Sequence, residues 1–315
     1  MLVGGLTTSL PDQVSALRVL VPGIRRDLAP RGPKVSVVIP AMDEARSLPW
    51  LAQRMPKGIH EIILVDGRSK DNTVAVAREL WPDVLVLQQN RSGKGNALAL
   101  GFDAVQTDIT IMIDADGSMD PGEIPYFVDA LLAGADYAKG SRFTYGGGSS
   151  DITLGRAFGN RILNWTTNKQ YGTGYSDLCY GYNAFWTDVR SIFALDAGSL
   201  TDDPNEKRWG DGFEVETLIN IRAFNAGLHI AEVPSYESPR LFGKSKLNPV
   251  RDGLRVLRTI AAEQKARSHD KYRFDRPRAL AQRFQWLDQS EGVVIEMPTV
   301  RLRPTGVEFT AQAAE

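Results

Sequence analysis

Ile109-Thr110-Ile111-Met112-Ile113-Asp114-Ala115-Asp116-Gly117-Ser118-Met119-Asp120 opens as an apolar, β-branched run of strand length and ends in two carboxylates one residue apart. Such a run fits a buried strand of a parallel sheet, and open α/β folds place ligands at the C-terminal ends of those strands. A chain that leaves the strand at Asp114 lets both carboxylates turn toward one point. That suits a hard divalent cation, Mg²⁺ or Mn²⁺, which keeps waters and takes its other ligands from a phosphate. The same residues also fit a plain acidic turn at Asp116-Gly117, with Asp114 capping the helix that Pro121 starts, so the flanking chain has to decide.

Upstream, Val35–Ile39 reads as a strand stopped by Pro40, with a helix over Glu44–Arg54. Ile62–Val65 is a second strand, followed by a helix over Thr73–Leu80 that Asp71 can cap. Val84–Leu87 is a third, and Gly93-Lys94-Gly95-Asn96 leads into an alanine-rich helix reaching about Val105. Strands alternating with helices indicate βαβ units, hence an α/β fold with a mainly parallel sheet and helices on both faces. Downstream, helices are expected over Pro121–Leu132, Gly155–Asn168, Phe213–Ala226 and Asn248–Ala266, with strands at Ala135–Lys139 and Ile230–Val233. Ser176–Trp186 mixes turn and strand residues, and the glycines of Tyr145–Ser150 suit either a loop that moves over a ligand or a plain surface connection. The last helix carries Leu254, Leu257 and Ile260 on one face and Arg251, Arg255 and Arg258 on others, compatible with an anionic membrane surface or with solvated packing on its own domain. Residues 1–33 read as an N-terminal extension, 34–262 as the main domain and 263–315 as an Arg-rich appendage.

With 315 residues, 43% of them hydrophobic, the chain can bury a large core. A net charge of −1 argues against nucleic acid as a partner. The lone Cys179 excludes an intramolecular disulfide and a cysteine zinc site, and points to a reducing compartment. No stretch reaches the roughly 20 apolar residues of a membrane span, and Asp12, Gln13 and Arg18 interrupt any secretory signal. A cytoplasmic protein is expected, with room for peripheral contact at the inner membrane face.

Asp66, Lys94, and Asp114 with Asp116 all follow predicted strands or their connections, so a parallel sheet brings them to one edge. There Asp66 can accept from a base N–H or a ribose hydroxyl, Lys94 between two glycines can approach a phosphate, and the acidic pair can hold the metal on a pyrophosphate. Gly93-Lys94-Gly95 lacks the full P-loop spacing, which disfavours an ATPase. No Gly-x-Gly-x-x-Gly follows the first strand, which removes the main support for a nicotinamide dehydrogenase.

Several pieces stand in the order of a known family: Val37-Val38-Ile39-Pro40 with Asp43-Glu44, Val65-Asp66-Gly67-Arg68-Ser69, Gly93-Lys94-Gly95-Asn96, Asp114-Ala115-Asp116 and Gly140-Ser141-Arg142. Ser176-Asp177, Gly181-Tyr182, Pro239-Arg240 and Gly243-Lys244-Ser245-Lys246 continue the series. Over about residues 34–262 the sequence resembles family-2 glycosyltransferases of the GT-A fold, in the branch of dolichol- and polyprenyl-phosphate sugar synthases. The resemblance implies a Rossmann-like sheet with an acceptor-side extension and a C-terminal helix. Residues 34–142 would hold a UDP- or GDP-hexose, with Pro40, Met42, Glu44 and Asp66 around the nucleoside. Asp114 and Asp116 would bind Mg²⁺ or Mn²⁺, and Lys94, Arg142, Arg240 and Lys246 would supply positive charge. Transfer would invert the anomeric centre. Residues 143–262 would take the acceptor, a polyprenyl phosphate that needs no base; a hydroxyl acceptor would need one, Asp211 or Glu216. For Asp211 and Glu214, a helix cap and first-turn acid are the other reading. Gly117 and Ser118 stand where prenyl-phosphate synthases often carry a leucine and a glutamine, so metal coordination is not carried over to Ser118. A catalytically silent sugar-nucleotide-binding protein is the remaining alternative, which the intact Asp114-Ala115-Asp116 disfavours.

Overall fold

The computed structural model describes residue 28, residues 32–198, 208–243 and 249–266, and residues 279 and 283. The β-branched runs become β1 (Val35–Ala41), β2 (Glu61–Asp66), β3 (Leu85–Gln88) and β4 (Ile109–Met112), which lie parallel in the order β3-β2-β1-β4. The intervening helices are α1 (Leu48–Arg54), α2 (Thr73–Leu80) and α3 (Lys94–Ala104), and α4 (Ile124–Leu132) follows β4. Beyond β4 the sheet continues through β7 (Asn183–Trp186), β5 (Tyr137–Ser141) and β8 (Ile230–Pro234). The result is a mainly parallel seven-stranded sheet in which β7 alone is antiparallel to its neighbours.

Side chains of period two send Val37 and Ile39 to one face, against Leu48 and Leu51 of α1 and Phe127 of α4. Val38 faces the other way, against Leu98 and Phe102 of α3 and Ile219, which belongs to α7 (Val215–Asn225). Each such side chain contributes about 1.5–3 kcal/mol on burial, so a register slip that swapped the faces would lose them together.

Pro40 does not stop β1. Its partner is Val65 of β2, whereas the pairing with β4 has already ended at Val38↔Met112, so the missing N–H interrupts no ladder. The first helix starts at Leu48 rather than Glu44, because Glu44 and Ser47 close a turn instead. The glycine-rich stretch is partly tied down as β6 (Gly148–Ser149), paired with β9 (Tyr236–Glu237). Two further helices, α5 (Leu154–Tyr171) and α8 (Pro249–Ala266), are joined through a small core of Tyr171, Tyr175, Leu178, Ile221, Val256 and Ile260, and the short α6 (Arg190–Phe193) follows β7. The expected apolar face of α8 is thus divided: Ile260 packs inward while Leu254 and Leu257 stay exposed.

Glu123 anchors the segment that follows β8, accepting from Ser235 Oγ at 2.5 Å and from the Tyr236 amide at 3.0 Å. Burial pushes its carboxyl up to about 7, against the opposing effect of those hydrogen bonds. The folded state therefore keeps a proton that the unfolded chain loses near 4.5, and stability falls as pH rises through that window. Glu123→Gln is expected to remove roughly 2 to 3 kcal/mol of that decline, measured as urea midpoints on either side of the window.

Arg283, in the expected appendage, is buried against the main domain, donating to Asp136 and bidentately to Asp188. No helix among the described residues is long and apolar enough to cross a membrane.

Candidate active site

The C-terminal ends of β1, β2 and β4 open on one cavity of about 960 Å³. The strand exits bring Pro40 at the end of β1 with Met42 and Glu44 just after it, Gly67 after β2, and Asp114 and Asp116 after β4. Lys94 enters from the first turn of α3 and Glu216 from that of α7. Asp66 does not line the cavity. It is buried, and both its carboxylate oxygens accept from the Ser69 amide, which shapes the loop after β2.

The acids and cations pair across the cleft. Lys94 Nζ lies 2.6 Å from Asp114 Oδ1 and 2.7 Å from Glu216 Oε1. Burial alone would lower the lysine's affinity for its proton, but the two carboxylates reverse this and hold it above its ordinary value. Burial is also the main cause that pushes the Asp114 carboxyl up to about 6, with Lys94 opposing. Arg240 spans Glu44 Oε1 at 2.5 Å and Asp116 Oδ2 at 2.9 Å. It arrives on the segment after β9, which crosses the exit of β4: Ser238 N donates to Ser118 O and Leu241 N to Asp116 O. Gly117 sits under that crossing with φ +79°, and a Cβ there would lie 2.4 Å from Leu241 Cδ1, so the leucine of the resembled branch would be strained here and would have to displace Leu241.

Asp114 and Asp116 fit a divalent cation that is held mainly by its substrate. Both line the cavity, and two carboxylates one residue apart are a donor set that a hard divalent ion takes. No group of three or more His, Cys, Asp or Glu among the described residues is placed to hold a metal ion by itself.

Other expected residues are placed differently. Asp211 is buried away from the cavity, bonded by Arg91 Nε at 2.9 Å and Nη2 at 3.0 Å, so the base expected there is a structural counter-ion. The Asp211 carbonyl accepts from the Gly95 amide at 2.8 Å, and a Cβ on Gly95 would meet the Gly210 carbonyl at 1.7 Å. The glycines around Lys94 therefore let α3 pack on that turn rather than admit a phosphate. Arg142 lines the cavity but its fork is taken up by Asp177 at 2.7 and 2.9 Å and by Glu237 at 2.9 Å. Although burial disfavours its charge, these carboxylates keep it firmly protonated. The expected phosphate grip of Arg142 thus becomes a clamp between the start of the 142–182 segment and β9. Lys246 lies outside the described residues. Burial pushes the Cys179 thiol up to about 12, so this cavity-wall cysteine is not a nucleophile at neutral pH.

The sequence does not show that α5 and α8 share a wall of this cavity. Its far end is walled by Gly155, Gly159, Ile162 and Leu163 of α5 and by Leu254 and Leu257 of α8. The traces of that end in the sequence are the apolar face of the last helix at Leu254 and Leu257 and a glycine spacing of four within α5, neither of which by itself signals a cavity.

The family model described as Glycosyl transferase family 2 matches residues 36–191. Among curated relatives, an uncharacterized glycosyltransferase of Mycobacterium bovis is 32% identical over 217 residues, 69% of this chain and 91% of that protein. Polyprenol monophosphomannose synthase of Mycolicibacterium smegmatis is 31% identical over 245 residues, 72% of this chain and 89% of that one. Among solved structures, glucosyl-3-phosphoglycerate synthase from Mycobacterium tuberculosis, in complex with Mn²⁺, uridine diphosphate and glucosyl-3-phosphoglycerate, superposes with a TM-score of 0.56 at 23% identity. That match covers 74% of this chain and 81% of the other, and it is a likeness of fold. The same enzyme has also been solved with Mg²⁺ and uridine diphosphate.

Proposed function

The chain belongs to glycosyl transferase family 2 and has the GT-A fold, and from that premise we propose that it transfers a hexose from a nucleoside diphosphate to a polyprenyl phosphate, with inversion. The observation that carries the acceptor is the composition of the cavity at the strand exits. One end is strand exits, acids and cations; the other is the apolar sides of α5 and α8, with Arg251, Arg255 and Arg156 beside them. A phosphate on an isoprenoid chain matches both chemistries of that far end.

The donor half, 34–142, would hold the nucleoside against Pro40, Met42, Glu44 and Gly67, with its diphosphate toward Lys94 and Arg240. Asp114 and Asp116 would hold a Mg²⁺ or Mn²⁺ ion, which as a Lewis acid supplies positive charge against the departing diphosphate. Lys94 and Arg240, each already fixed between two carboxylates, add cationic charge without reorganising. The acceptor half, 143–262, would present an ionised phosphate to the sugar. A hydroxyl acceptor would need a general base, yet Glu216 is engaged by Lys94, Glu237 by Arg142 and Asp151 by Arg156. Those pairings favour the acceptor that is already charged.

Product analysis tests the reading. Incubation with a panel of UDP- and GDP-hexoses and a polyprenyl phosphate should give a lipid-linked sugar labile to mild acid. An acid-stable glycoside, or no transfer to prenyl phosphates with any donor, would overturn it.

Gly159 gives a second check. A Cβ there meets nothing within 4 Å, so Gly159→Leu is expected to narrow the acceptor end and raise the acceptor KM roughly tenfold with the donor KM unchanged. Helix stability should rise by up to about 1 kcal/mol, which separates blockage from misfolding in a thermal melt.

A further inference from the structure

Helix α5 leaves an apolar stripe uncovered. Leu154, Phe158, Ile162 and Trp165 are 92%, 67%, 44% and 61% exposed, and their spacing puts them on one side of the helix. Isolated exposed apolar residues are ordinary, but four in register on one helix, two of them aromatic, are not. Going round α5, the opposite side holds the buried Asn160, Asn164, Thr167 and Tyr171, and between the two lie Gly155 and Gly159 on the cavity wall. Ile162 belongs to both the stripe and the wall. Across the cavity mouth, Leu254 and Leu257 of α8 likewise are exposed and line the cavity. Apolar surface therefore runs without a break from outside the protein into the acceptor end.

The exposed charge on the two helices has one sign, and the partly exposed Asp151 just before α5 is paired with Arg156. Helix α5 contains Arg156, Arg161 and Lys169 and no acid. On α8 both acids, Asp252 and Glu263, are buried, while Arg251, Arg258 and Lys265 are exposed. This local excess stands on a chain whose net charge is −1. Lys169 lies 4.9 Å over the Trp165 ring, an amphipathic pair of the kind that sits at headgroup level.

We infer that the α5 stripe, with the mouth residues of α8, docks the protein on the surface of an anionic phospholipid bilayer, aromatic side chains in the acyl boundary and the cations against headgroup phosphates. Docked this way, the cavity mouth faces the bilayer, and an isoprenoid chain reaches the site without crossing water. This purpose rests on the lipid acceptor proposed above; the docking itself does not.

Flotation of the full-length chain with vesicles lacking any prenyl lipid tests it. Binding is expected to vesicles containing phosphatidylglycerol and to fall at least about tenfold on pure phosphatidylcholine. The double variant Phe158→Ser, Trp165→Ser should lose about tenfold or more of that binding while retaining turnover with a short, water-soluble prenyl phosphate in the absence of vesicles. Charge reversal, Arg161→Glu with Lys169→Glu, should lose binding to anionic vesicles with both aromatic residues intact. Absence of wild-type binding, or undiminished binding by both variants, overturns the inference. So does a wild-type dimer in solution that either variant dissociates, which would make the stripe an interface between copies. Vesicle binding without any transfer to prenyl phosphate would instead reject the acceptor reading and leave the docking standing.

Discussion

Asp116→Asn is expected to lower kcat by about 10³-fold or more in metal-dependent transfer, with the fold retained. Asp116 Oδ1 accepts from the Ser118 amide at 2.9 Å, and an asparagine carbonyl can take over that bond. What it cannot replace is the negative charge that faces Arg240 at 2.9 Å and that a divalent cation would need beside Asp114. The loss should therefore appear in turnover and in the thermal shift produced by metal with nucleoside diphosphate, and not in the melt of the free protein. Metal-dependent transfer that survived the change would reject the assignment of the Asp114–Asp116 pair as the metal site.

Asp211→Ala is expected to cost about 3 kcal/mol of stability, because it removes the bidentate carboxylate from the fully buried Arg91 and leaves it the more distant Asp196 carboxylate at 3.5 Å. The sequence placed Asp211 among the candidate bases, and the two roles predict different measurements. A structural counter-ion gives a lowered denaturation midpoint with kcat and its pH profile preserved at temperatures where the variant is folded. A base gives the reverse, full stability with turnover lost and the acidic limb of the pH profile removed. That second outcome would return Asp211 to the chemistry.

The donor side could be read from the chain because its determinants are local. A β-branched run alternating with helical segments specifies a parallel sheet, and residues just past Ile39, Val65 and Ile113 then share one edge whatever the rest of the chain does. Pro40 shows the limit of such reading. Its effect on β1 depended on how far β4 extends alongside, which no local pattern encodes.

The sequence by itself determined the parallel β3-β2-β1-β4 part of the sheet, the helices between those strands and the exit of Asp114 and Asp116 at its edge, since side-chain period and turn chemistry act over a few residues. Only the tertiary structure decided which charges serve the site and which serve the fold. Arg91 and Asp211 are 120 residues apart, Arg142 and Glu237 are 95, and Glu44 and Arg240 are 196. An arginine's chemistry is set by the carboxylate facing it, and that partner is chosen by packing across the chain. The same holds for the acceptor end, where α5 and α8 contribute ordinary amphipathic helices. Their meeting through Tyr171, Val256 and Ile260 leaves an apolar mouth between them because the small core that joins them uses only their inner faces.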